Sequence, residues 1–526
     1  MRIYSLRMSI FRLAIGTCVL VAIYLSMNID PSSAMLTMGS PKLYPENGAT
    51  LVNADVKLRL TFSEPPKIGT SGKIRIIEAE TGKIVDQLDL SIPAGPTKPI
   101  DPAVRAKDYI KTPYSYRRTS RATNRDTRPG LGSGGAADTI GDYQLTIIGG
   151  FTDGFHFYPI TVDGNTATIH PHHDVLESGR RYFVEIDPGV LSTNSGFVGI
   201  PARTWSFETK FWSHTPREDA KILTVASDGS GDFDTVQGAL DFVPDRSKKR
   251  ITIKVKAGVY EELVYARNKD NVTIVGEGAD RTIVRYANNE VFNPHPSNIR
   301  TNECPGTFPS RRAAVTIDNC NDFHIANITL QTTLRGQAEG LLINGERNIL
   351  SNIKVIGSGD ALQANGKIYA VDTTIIGDGD TILGRGMLFC ERCTLRSTQV
   401  FMWPRNTEGV HGNIFKDSTF IGIGGEFNIA RAPQNGQSSY PFAEVILLNS
   451  KMDGIAPEGW GNADMGGKVR FWEYNSRTLD GKLVDVSKRA AWSRQLDAVK
   501  DAKIIADYSR PKFVFGGWKP VLKMSK

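Results

Sequence analysis

The chain has 526 residues, of which 23% are charged and 40% apolar, so it carries enough apolar material for two or three packed domains and too little charge for a disordered chain. A formal net charge of +7 suits an acidic polymer as partner, while the longest basic run, SKKR at 247–250, argues against nucleic acid. Glycine is abundant, at 51 residues, and helical apolar periodicity is scarce, which predicts a β-rich, turn-rich protein. At the N-terminus Arg2, Arg7 and Arg12 precede an apolar stretch from Leu13 to Met27, and SSA ends at Ala34. This reads as a secretory signal over 1–34 and predicts an exported protein, secreted or periplasmic. The run is shorter than the ~20 residues a membrane span needs. No later stretch is apolar enough to cross a bilayer, so stable membrane insertion is not expected. Cys18, in GTC, is a poor match to a lipid-attachment site.

Residues 36–210 read as a separate β domain. VKLRLTFSE (56–64), KIRIIEAE (73–80), ATIHPH (167–172), RYFVEIDP (181–188) and RTWSFETK (203–210) alternate or run apolar between turn signals. The pattern resembles an immunoglobulin-like β-sandwich of the kind attached to bacterial surface and secreted enzymes. Residues 95–142 are rich in Pro, Arg, Gly and Ser and are expected to form a long mobile insertion. SHTPRED (213–219) reads as a linker.

Near Ile222 a repeat begins. ANITL (326–330), SNIKV (351–355), VDTTI (371–375), ERCTL (391–395), KDSTF (416–420) and LNSKM (448–452) share one frame: polar second residue, Thr or Lys fourth, apolar fifth. Their second residues fall 25, 20, 20, 25 and 32 positions apart. A β-rich repeat of this length, without a helical pattern, predicts the coils of a parallel β-helix over 222–526, in which stacked coils share one core. The fold class is therefore all-β, a right-handed parallel β-helix preceded by the sandwich.

The repeat gives meaning to two similar heptapeptides, IGSGDAL (356–362) and IGDGDTI (376–382). Asp360 lies eight residues after Asn352, and Asp380 eight after Asp372, so the two occupy one phase on successive coils. Neighbouring strands lie ~4.8 Å apart, and two carboxylates that close do not both ionise easily, which suits one acid and one nucleophile or base. An Asp ladder capping turn amides in water is the alternative. Of the cysteines beyond the leader, Cys304 and Cys320 could form a loop staple in an exported protein. CERC (390–393) has redox or zinc spacing, but with no second CxxC and no nearby His pair it is expected to place two small apolar side chains in a β turn.

Residues 223–520 resemble the pectin methylesterases, β-helical carbohydrate esterases. VASDGSGDFDTVQGAL (225–240) and GVYEE (258–262) match the family's opening segments. GQAEGL (336–341), GSGDAL (357–362), GDGDTILGRG (377–386) and IARAP (429–433) then follow in family order, ahead of IAPEGW (455–460) and FWEYNSR (471–477). The resemblance implies hydrolysis of galacturonate methyl esters in pectin (homogalacturonan), with Asp380 as nucleophile, Asp360 as acid and then base, Gln337 as oxyanion donor and Arg431 orienting Asp380. It implies no metal or other cofactor, and we expect a monomer. Two departures stand out. Gly359 replaces the glutamine expected before the first aspartate, and Pro433 replaces the tryptophan of L-G-R-P-W, so Trp403, Tyr369 or Tyr440 would have to serve as sugar platforms. Arg385 and Arg405 compete with Arg431 for its role. His411 is a tempting base that the chemistry does not require. Trp460, Trp472 and Tyr474 could line a cleft or pack the C-terminal end. A weakened polysaccharide-binding β-helix, or an esterase or thioesterase on another acyl group, is the alternative function.

Overall fold

The computed structural model describes residues 40–98, 115–116, 137–138, 143–149, 154–294, 310–435, 438–462 and 467–522. Residues 1–34, read as a leader, most of residues 95–142, read as an insertion, and Cys304 lie outside the described residues.

The N-terminal unit packs two sheets face to face. One orders Lys42–Tyr44, Leu58–Thr61, Thr166–Ile169 and Ile160–Asp163, all antiparallel. The other orders Ala49–Val52, Ser206–Thr209, Arg181–Ile186, Lys73–Glu78 and Ile84–Asp89, antiparallel except for its first pair. The strands alternate as read from the sequence. Leu58 and Leu60, Ile74 and Ile76, and Tyr182, Val184 and Ile186 point inward, which is how a sheet with one wet face buries its apolar half. Trp205 fills the centre of this core and satisfies its indole N–H on the Pro45 carbonyl at 2.9 Å.

Among the described residues from Ile222 onward, every pairing between strands is parallel, apart from a short hairpin at 434–439. The coils form a prism with three faces. On the first, Val315, Leu341, Leu362, Ile382 and Met402 stand in register. On the second, His324, Ile349, Tyr369, Phe389 and Ile414 do. The long strands Leu341–Ser351 and Leu362–Val371 bend through both faces, joining them into one 15-stranded sheet. The third face is a nine-stranded sheet in which Leu330, Val355, Ile375, Leu395, Phe420 and Met452 pair directly, each the fifth residue of the repeated frame.

The frame's other positions now have physical roles. The second residues, Asn327, Asn352, Asp372, Arg392, Asp417 and Asn449, have φ between 50° and 55°. They make the left-handed corner between the second and third faces, a conformation Asn and Asp tolerate better than other side-chain-bearing residues. Amides stack along this edge, Asn352 donating to Asn327 at 2.9 Å. Arg392, the unfavoured residue there, grips Asp372 of the preceding coil at 2.8 and 3.0 Å. The third residues, Ile328, Ile353, Thr373, Cys393, Ser418 and Ser450, turn into the core. Cys393 is thus one rung of the frame, and Cys390 lies in the strand before it; both are buried free thiols, as is Cys320. Phe420 sits among Phe401 and Phe415, with ring centroids 5.5 and 5.1 Å away. Phe420→Ala is expected to cost about 3–5 kcal/mol, because stacked coils collapse poorly onto a void; urea unfolding followed by circular dichroism measures it.

The N-terminal end of the prism is covered. Helix Val236–Phe242 closes the first coil, capped by Thr235, whose hydroxyl accepts from the Gly238 N–H, while the Glu262 carboxylate accepts from the N–H groups of Val236 and Gln237. The N-terminal unit docks on this cap. Asp55 accepts from the Thr235 amide and hydroxyl at 2.8 and 2.7 Å, His173 pairs with Asp241 at 2.5 Å, and Arg59 donates to the Ser227 carbonyl at 2.8 Å. A cavity of about 1020 Å³ lies along this junction, lined by Lys57, His170, Asp241 and Glu262 among others. Helices Ala502–Tyr508 and Pro511–Val514 pack along the outside of the second face against Phe389, Ile414 and Ile446.

Candidate active site

Register builds the site. Leu341, Leu362 and Ile382 are direct neighbours on successive coils. Two residues before them stand Glu339, Asp360 and Asp380. Adjacent parallel strands are ~4.8 Å apart, so three acidic residues share one phase along this edge of the prism. Asp380 has φ 40°, a left-handed conformation at the turn between two strands.

Each end of this stack meets an arginine. Met402 pairs with Ile382 and bridges to Ala430 on the coil beyond, so Arg431 starts two coils away from Asp380. Its side chain crosses the intervening coil, with the guanidinium 4.8 Å over the Trp403 ring, and donates to Asp380 Oδ2 at 2.9 Å. Asp380 Oδ1 is buried and has no hydrogen-bond partner among the described residues. At the other end Arg312 holds fully buried Glu339 with a two-pronged contact, Nε at 3.0 Å from both oxygens and Nη2 at 2.8 Å from Oε1. The same Nη2 donates to Asp360 Oδ2, and Nη1 donates to Gln337 Oε1 at 3.2 Å. With its oxygen engaged, Gln337 has its amide hydrogens uncommitted among the described residues. Asp360, 7% exposed, is pushed up to about 7, chiefly by burial and further by Glu339 and Asp380, against the pull of Arg312 and Arg405.

Around the stack lie Trp403, Tyr440, Arg385 and Arg405. Arg405 stands 4.5 Å over the Trp403 ring, Tyr440 meets Trp403 edge-on at 6.3 Å, and Arg385 lies over Tyr440 at 5.9 Å. Arg405 is buried, its Nε and one Nη without partners among the described residues, and burial followed by the Arg385 charge lowers its pKa. Of the three arginines weighed from sequence, Arg431 is the one paired with Asp380.

Other residues singled out from sequence stand elsewhere. His411 bonds Glu444 at 2.9 Å and packs on Tyr508 and Phe513, anchoring the C-terminal helices. Tyr369 donates to Glu391 on the second face. Trp460 is in the core against Phe471, and Trp472 and Tyr474 border the C-terminal helix cluster. Gly359 has φ 70°, and a Cβ there would stand 3.3 Å from the Gly336 carbonyl oxygen, so the backbone itself disfavours the missing glutamine. Pro433 is buried. Arg312 and Glu339 were not singled out from sequence. The signal for Glu339 was present, an acid two residues before the strand that opens its coil, in the phase of Asp360 and Asp380.

The chain is 28% identical over 297 residues to pectinesterase 31 of Arabidopsis thaliana, covering 52% of this chain and 88% of that protein. It is 31% identical over 291 residues to a pectinesterase/pectinesterase inhibitor of Ficus pumila var. awkeotsang, covering 51% of this chain and 50% of that one. Pectinesterase 4 of Arabidopsis thaliana matches at 25% over 299 residues, so the chain spans about half the length of several relatives it matches. The solved pectin methylesterase PemA from Erwinia chrysanthemi aligns over 59% of this chain and 100% of its own at 21% identity, with a TM-score of 0.46. The pectinesterase family model matches residues 222–517, the whole β-helix and more than half of the protein. The chain therefore belongs to the pectinesterase family.

Proposed function

We propose that this protein hydrolyses methyl esters of galacturonic acid in pectin, releasing methanol, through a covalent intermediate on Asp380. The observation that carries the reading is the asymmetry of the aspartate pair. Asp380 has one oxygen held by Arg431 and the other buried and without a partner among the described residues, while Asp360, one coil away, is a buried acid whose pKa is pushed up to about 7, chiefly by burial. One is a nucleophile aimed by a cation, the other a proton donor at working pH.

In the first step Asp380 Oδ1 attacks the ester carbonyl. The oxyanion is met by the free amide hydrogens of Gln337. Collapse breaks the bond to the methoxy group, and Asp360 delivers its proton so that methanol leaves, with an acyl anhydride on Asp380. Asp360, now ionised, draws a proton from water, which attacks the anhydride. The sugar departs as a carboxylic acid that releases its proton to bulk water, Asp380 is restored as carboxylate and Asp360 regains its proton from the attacking water. No step calls for a metal. The arginines at 385, 405 and 431 give the cleft the positive charge that a polyuronate requires. Members of the pectinesterase family act on extracellular pectin, which supports export as part of this reading; no helix of the described residues is long and apolar enough to cross a membrane.

Methanol release from highly methylated pectin by the purified protein tests the reading; a folded protein that releases none between pH 4 and 9 would sink it. Arg431→Lys keeps the charge but loses the planar stack on Trp403 and the fixed aim. It is expected to lower kcat about 10- to 100-fold with KM little changed, measured by initial rates of methanol release.

A further inference from the structure

The mechanism leaves Arg312 and Glu339 without a task, although Arg312 touches two of its participants. The guanidinium contacts Glu339, Asp360 and Gln337, and Glu290 stands 3.7 Å from Nη1. A brace for the fold would need only Glu339, and a buried ion pair stabilises a fold weakly if at all. This cation is placed where Gln337 and the first two acids of the stack meet.

We propose that Arg312 and Glu339 form a positioning pair that assigns the proton of the carboxylate stack to Asp360 and sets the direction of the Gln337 amide. This rests on the esterase reading above. The stack is ordered by charge. Glu339, fully buried, has both carboxylate oxygens gripped by Arg312. Asp380 is paired with Arg431. The middle carboxyl then faces a negative charge on either side, so the proton resides there. The groups facing Asp360 are Arg312, Glu339, Asp380 and Arg405; the two acids favour the proton and the two arginines oppose it. Without Glu339 a larger share of the Arg312 charge, then opposed only by Glu290, would act on Asp360 and favour loss of the proton it must give to methanol. The donated hydrogen bond to Gln337 Oε1 forces the amide nitrogen to the opposite side, as an oxyanion donor must stand. Position 359 holds no second glutamine to share that work, so the orientation of Gln337 counts for more here.

Two variants separate this from a structural brace. Glu339→Gln keeps the shape and one acceptor but removes the anion. Its alkaline limb of kcat against pH is expected to fall by about one pH unit, since an opposite charge at this range moves a carboxyl by ~1–3. Arg312→Lys keeps the charge but cannot reach three acceptors at once. Its kcat is expected to drop about tenfold at nearly constant KM, with the alkaline limb in place, because a misdirected oxyanion donor loses part of its ~10²–10³ contribution. If both variants unfold more readily yet keep the parent kcat and pH profile, the pair is a brace and the proposal is wrong. A readout independent of turnover separates the two levels of the argument. Protein labelled with ¹³C at aspartate Cγ, with the Asp360 resonance identified by its loss in Asp360→Asn, gives the titration directly. A midpoint near 7 in the parent and lower in Glu339→Gln supports the pair even if pectin proves not to be hydrolysed. The same midpoint in both refutes it even if pectin is hydrolysed.

Discussion

Asp380→Asn lowers methanol release from highly methylated pectin by on the order of 10⁴- to 10⁶-fold, the scale seen when a covalent nucleophile is removed. The amide has the carboxylate's shape but no charge, so the free oxygen no longer attacks, and Arg431 is left facing a neutral group. The turn at φ 40° suits Asn as well as Asp, so the fold survives and far-ultraviolet circular dichroism is unchanged. The matched control is Asp372→Asn, eight residues earlier and one corner away, where the carboxylate only pairs with Arg392 at the surface. That variant keeps full activity. Release within tenfold of the parent by Asp380→Asn would reassign the nucleophile.

Asp360→Asn is the second large effect, a fall in kcat of about 10²–10⁴, the usual worth of a positioned acid–base group. Its diagnostic is the pH profile. Asp360 must carry a proton when methanol leaves, and burial holds that proton until the pH passes about 7. Parent activity is therefore present below that value and lost as pH rises through it. The variant cannot lose a proton there, so its small residual activity runs level across the same interval. A parent profile with no alkaline limb near 7 would remove Asp360 from the acid's role.

The architecture could be read from the sequence because a solenoid writes its register into the chain. The frame at 326–330, 351–355 and 371–375 marks the same corner each time, and a left-handed turn is made best by Asn or Asp. From that phase the pairing of Asp360 with Asp380 follows by counting. Arg431 could not be counted in the same way. It comes from two coils further on, across loops of unequal length, and only Trp403 as a bridge shows why it reaches. Arg312 was illegible for a different reason, and Glu339, although in phase with the two aspartates, did not stand out. A buried Arg–Glu pair has no sequence signature of its own, and the coil containing Glu339 departs from the 20-residue spacing that made the later two rhyme. Gly359 was read as a loss; its φ of 70° shows instead a backbone that glycine suits.

A stack of parallel strands has no natural stopping point, since each coil offers the next a row of unpaired backbone groups. The first coil of this one ends at Ile222–Val225, and what lies over it is helix Val236–Phe242, held down in turn by Asp55, Asn53 and His173 of the N-terminal unit. Separated from that unit, the prism would expose the buried carboxylates of Asp234, Asp241 and Glu262 together with the helix they secure, and its open rim could recruit the rim of another molecule. The N-terminal unit thereby forms a second layer over this rim, held on the helix that shields the unpaired backbone groups of the first coil.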